Sequence, residues 1–207
     1  KLTPMELALG GVVCRVASGR AFQVGRENQV TLLLENGTRN FFESGEGCAG
    51  ISLGDGASLR IDWTPVPDGG VPDGALTANG SGGGAGIGRD CGAGQDQSSQ
   101  ILICGGIITA NGSGGGAGIG AGARGAVGSI TISGGTVTAN GGDGGGAGIG
   151  GALGAPAGTI SIRGGFVTAG ATYHAAAIGA GVQGECGDIF IAGNAHILKA
   201  VGGNPGA

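Results

Sequence analysis

The sequence is poor in the side chains that most chemistry and most recognition use. It has one Trp, one Tyr, five Phe and two His, and only 12% of its residues are charged. His174 and His196 stand alone, with no companion at metal-ligand spacing, so no metal or cofactor is expected. Acid–base catalysis needs carboxylates that converge, and no carboxylate recurs in register along the chain. The net charge of -4 argues against a nucleic-acid partner, which would call for a basic face. No apolar run reaches the length of about 18 residues that crosses a bilayer, and no basic amphipathic segment suits a membrane surface. Helical periodicity is missing throughout.

Glycine, in contrast, occurs 55 times. It is organised. Ala78–Gly88 and Ala110–Gly120 read ANGSGGGAGIG, Ala139–Gly150 reads ANGGDGGGAGIG, and Ala169–Gly179 is a degenerate copy. Landmarks repeat in step: Thr77, Thr109, Thr138 and Thr168, and Ile101, Ile130, Ile160 and Ile189. A fixed period near 30 residues marks stacked supersecondary units. Each unit carries an Ile-x-Ile segment, a Gly-Gly pair in most copies, an x-[Leu/Ile/Val]-Thr-Ala segment and an Ala-Gly-Ile-Gly segment. Period-2 alternation with β-branched residues reads as strand.

Three short strands and their turns in about 30 residues make one coil. Coils stacked at about 4.8 Å pair their backbones along the axis and build one continuous core. The expected fold is therefore an all-β parallel β-solenoid of about six coils and a single domain over residues 1–207. Residues 1–29 are expected to be an irregular start or cap, and residues 30–207 the stacked coils, with an insertion at Asp62–Gly74 (DWTPVPDGGVPDG). A flexible Gly/Ser linker is the competing reading, and the in-phase Ile, Val and Leu argue against it. The start at Lys1 and the stop inside a repeat motif at 201–207 suggest a segment of a larger protein.

The runs SITISGGTVTANGGDGGGAGIGG and TISIRGGFVTAG, with CAGISLGDGASLRI upstream, resemble glycine-rich repeats in large surface proteins of gut Firmicutes and related bacteria. The resemblance spans Val30 to the C-terminus. More distantly, the chain resembles the pectate-lyase-like right-handed β-helix, which implies a right-handed coil. The resemblance implies an extracellular or cell-surface setting and an adhesin-like role. It supplies no residue roles.

Candidate residues are departures from the repeat. Gly, Ala, Thr and Ser give few anchors, whereas tight recognition rests on a few large or charged side chains. The insertion offers Asp62, Trp63, Asp68 and Asp73. The loop Arg89–Gln100 offers Arg89, Asp90 and Asp96, and Tyr173-His174 replaces two glycines of the standard run. Trp and Tyr stack on sugar rings or anchor protein contacts; Trp63 packed on the solenoid flank and the acids as solvated turn formers are the structural alternatives. Asn79, Asn111 and Asn140 read as a ladder stabilising stacked turns. Of five cysteines, Cys91 and Cys104 flank one loop and are candidates for a disulfide, with scattered free thiols as the alternative. The functional expectation is a non-enzymatic binding module for a glycan or host surface protein. A structural spacer is the alternative, and a polysaccharide-active enzyme or an ice-binding solenoid is disfavoured.

Overall fold

The computed structural model describes residues 4–66 and 70–204. Every strand pairing between its named strands is parallel, and no helix occurs among the described residues. The first coil holds β1 (Met5–Leu9), β2 (Val13–Arg15) and β3 (Gln23–Val24). The second holds β4 (Gln29–Leu34), β5 (Arg39–Glu43) and β6 (Ile51–Leu53), and the third β7 (Ser58–Trp63), β8 (Ala75–Asn79) and β9 (Ile87–Gly88). The fourth holds β10 (Gln100–Ile103), β11 (Ile107–Asn111) and β12 (Ile119–Gly120), and the fifth β13 (Ser129–Ile132), β14 (Thr136–Asn140) and β15 (Ile149–Gly150). In the sixth, β16 (Ile160–Gly170) runs through both of the first two positions and β17 (Ile178–Gly179) follows. β18 (Ile189–Val201) lies on β16.

Register explains why the pattern folds this way. Met5, Val30, Leu59, Ile101, Ile130, Ile160 and Ile189 form one continuous column along the axis. From Leu59 to Ile160 its members are at most 1% exposed. Strands such as β4 and β11 alternate buried and less buried residues, as period-2 alternation demands. The second inward column includes Leu76, Ile108, Val137 and Val167, and the third Ile51, Ile87, Ile119 and Ile149, all buried. Three apolar stripes thus meet in one core.

The Ile-Gly end of each repeat shows why glycine is obligatory. Gly88, Gly120 and Gly150 have φ of +144°, +138° and +131°. A Cβ on any of them would run into the carbonyl oxygen of the equivalent glycine in the next coil. Strand pairing and a side chain at that position exclude one another.

Three sequence expectations change. Residues 4–29 are not an irregular cap: β1, β2 and β3 pair in register with β4, β5 and β6, so this segment is the first coil. It has a Gly-Gly pair, Gly10-Gly11, between its first two strands but no Ala-Gly-Ile-Gly segment, and its hydrogen-bond register reveals it. The insertion starts later than its composition suggests, because β7 continues to Trp63, with Asp62 and Trp63 opposite Leu33 and Leu34. Cys91 and Cys104 are free thiols, as are the other three. Cys91 follows the third strip and borders Gly83, whereas Cys104 opens the Gly-Gly corner near Arg60, so the two face different corners.

The asparagine ladder is present. Asn111 donates to Asn79 Oδ1 at 2.8 Å, and Asn140 donates to Asn111 Oδ1 at 2.9 Å. After β17, β18 leaves Ile189, Phe190 and Ile191 exposed by 43%, 52% and 50%, because no further coil among the described residues packs over them.

Candidate ligand groove

The excursion after β7 builds a groove across the coils. The coils that follow turn the corner between their first two strands with Gly105-Gly106, Gly134-Gly135 and Gly164-Gly165, which carry no side chains. Trp63 and Val71–Asp73 stand on one side of this bare corner. On the other lies the outward column Ile107, Thr136 and Phe166, in register on β11, β14 and β16. The result is an open groove of about 380 Å³ lined by these residues. It spans three coil-to-coil steps, or about 14 Å at a strand spacing of about 4.8 Å.

Its walls are apolar where the pattern calls for polar side chains. Ile107 and Phe166 point outward and are 39% and 47% exposed. Phe166 stacks on His196 of β18, with ring centroids 5.0 Å apart. Trp63 is half-buried, and its indole rests on Gly105. Its position is fixed locally. Asp62 Oδ1 accepts a hydrogen bond from the Trp63 amide at 3.0 Å, and Asp62 Oδ2 pairs with Arg60 at 2.6 Å. That bond to Asp62 pushes the Arg60 pKa up.

Polar groups sit at the rim. Asp73 Oδ1 accepts from Gly37 N at 2.6 Å, and the Asp73 carbonyl accepts from Arg39 at 3.1 Å. These bonds fasten the returning end of the excursion to the turn of the second coil. Thr136 contributes a hydroxyl from the outward column. The groove therefore offers flat apolar surfaces beside a carboxylate and a hydroxyl, a mix that suits an amphipathic ring.

The remaining candidates fall elsewhere. Asp68 lies outside the described residues. Arg89, expected to be a loop anchor, is buried at 1% exposure. It donates to Leu53 O and Ala93 O and pairs with Asp55 Oδ1 at 2.5 Å. Asp90, 7% exposed, accepts from Ala49 N and from Arg20 Nε. Both face a second cleft that shares no lining residue with the groove. Asp96 closes a local turn onto Ser98, whose hydroxyl holds the carboxyl below its usual pKa. Tyr173 and His174 are exposed, pack edge to face, and keep positive φ of 40° and 55° where the standard run has glycine.

The groove is thus half legible from sequence. Trp63 and Asp73 come from the insertion, but Ile107 and Phe166 belong to regular strands. The signal for them is an apolar residue at an outward position of a period-2 strand. Among the described residues, no group of three or more His, Cys, Asp or Glu side chains is placed to hold a metal ion. No helix among them is long and apolar enough to cross a membrane. No family model, curated protein or solved structure matches the chain.

Proposed function

We propose that this β-solenoid is a glycan-binding module of adhesin-like character that works outside the cell or at its surface. The observation that carries the reading is the groove in which Ile107 and Phe166 present exposed apolar surface beside the half-buried Trp63 along the axis of the stack. Monomeric solenoids gain nothing in core stability from an outward Phe or Ile, and a contiguous apolar patch with a polar rim fits a binding surface. Sugar rings carry apolar C–H faces that stack on aromatic rings and hydroxyls that bond to carboxylates and hydroxyls. Asp73 and Thr136 supply those groups at the rim. The reading is binding without turnover: Asp62 is committed to Arg60 and to the Trp63 amide, and Asp73 is bonded to Gly37.

A glycan array probed with the purified chain and with Trp63→Ala tests this. Binding to a defined set of oligosaccharides, lost in the variant, supports the groove. Binding by neither protein turns the assignment toward a spacer segment, for which the small, weakly charged side chains of the regular coils would suffice.

A further inference from the structure

The second cleft lies at another corner, across the first three coils, and holds about 230 Å³. Arg20, Gln23 and Arg26 come from the first coil, Ser52 and Asp55 from the second, and Arg89 and Asp90 from the third. Three guanidinium groups thus face two carboxylates, in a chain whose net charge is -4. Arg20 uses only Nε, donating to Asp90 Oδ2 at 2.6 Å, and its two terminal nitrogens find no acceptor among the described residues. Arg26 reaches Asp55 Oδ2 at 3.3 Å while its side chain stays 73% exposed, so most of its donors are free. Below them Arg89 is fixed by two carbonyls and Asp55.

Two buried polar atoms on the cleft wall, Ser52 Oγ and Arg89 Nε, also lack a partner among the described residues. Buried donors are rarely left so. Donors exceed acceptors among the residues that line the cleft, and the Asp96 carboxylate, which does not line it, lies within electrostatic reach of Arg26 and Arg89.

We propose that this cleft is a binding subsite for a compact oxyanion, a sulfate or carboxylate group. Arg20 and Arg26 grip the anion with their free guanidinium donors, and Arg89 lends its buried charge from beneath. A guanidinium fork matches such oxygens in pairs, and charge-assisted bonds of this kind are the stronger class.

The test follows the arginine side-chain NMR signals of the full chain. Sodium sulfate and, separately, sodium acetate are titrated in at ionic strength held constant with chloride. The expected result is a saturable shift of the Arg20 and Arg26 signals. Saturation by sulfate alone assigns a tetrahedral group, and saturation by acetate alone a carboxylate. Arg26→Ala, at an exposed side chain that leaves the fold intact by circular dichroism, weakens binding about tenfold. Trp63→Ala leaves it unchanged, because the groove is a separate site. Shifts that stay linear with both anions, or equal binding by Arg26→Ala, overturn the proposal.

Discussion

The indole of Trp63 lies against Gly105, so that a Cβ at Gly105 would stand 2.8 Å from Trp63 Cδ2 and 3.0 Å from Cε2. One coil's missing side chain is the seat of the previous coil's aromatic ring. Gly105→Ala is therefore expected to lift the indole without emptying the core. Its cost is about 1–3 kcal/mol, as for overpacking. Tryptophan emission should move while the β-type circular dichroism spectrum stays. An unchanged emission maximum would show that the ring does not rest there.

Asn111 is the middle rung of the asparagine ladder, donating to Asn79 and accepting from Asn140. Asn111→Ala removes both bonds and is expected to lower unfolding stability by about 1–2 kcal/mol. Asn140→Ala removes one and should cost about half as much. Denaturant melts of the two variants check the order.

Gly120→Ala and Ile130→Ala probe the stack from two directions. The first sets a Cβ against the Gly150 carbonyl at a φ of +138°, and disrupts strand pairing. We expect a loss on the order of 3 kcal/mol or more. The second empties a fully buried position and should cost about 2–5 kcal/mol. Gly92→Ala, with open space around its φ of +70°, should cost only about 1–2 kcal/mol. Equal losses at Gly92 and Gly120 would contradict the close approach of coils at the Ile-Gly corner.

What the sequence made legible follows from periodicity. The Ile columns and the Asn rungs recur in step, and both stack as their spacing implies. The first coil is hidden because it carries neither an Ile-x-Ile nor an Ala-Gly-Ile-Gly segment, and the pairing of Met5–Leu9 to Val30–Leu34 reveals it. The burial of Arg89 is not legible for a different reason. A charged residue after a glycine run reads as solvated, and its carboxylate partner Asp55 sits in the turn of the previous coil. The groove was half visible: Trp63 interrupts the repeat, but Phe166 is in phase with it and differs only in being apolar on the outward face.

The thiols give a check on corner placement. Cys91 is exposed, whereas Cys48 and Cys186 are half-buried and burial pushes both thiols up in pKa. In Cys48 the Asp90 carboxylate adds to that rise and Arg20 opposes it. A raised pKa leaves less thiolate at a given pH, so alkylation near neutral pH should reach Cys91 first. The gap should narrow as pH rises. Mass spectrometry after limited alkylation reads the order, and a Cys91–Cys104 crosslink in the product would contradict the separate corners.

Trp63 is the only tryptophan of the chain and lies in the groove, so intrinsic fluorescence reports that site alone. The most direct measurement is a fluorescence titration of the intact protein with an oligosaccharide selected on the array. The account predicts a saturable change in Trp63 emission, with affinity reduced about tenfold or more in Phe166→Ala, while Thr138→Ala on the outward threonine column binds as the parent does. Binding measured by calorimetry with no change in Trp63 emission, and undiminished in Phe166→Ala, would contradict it.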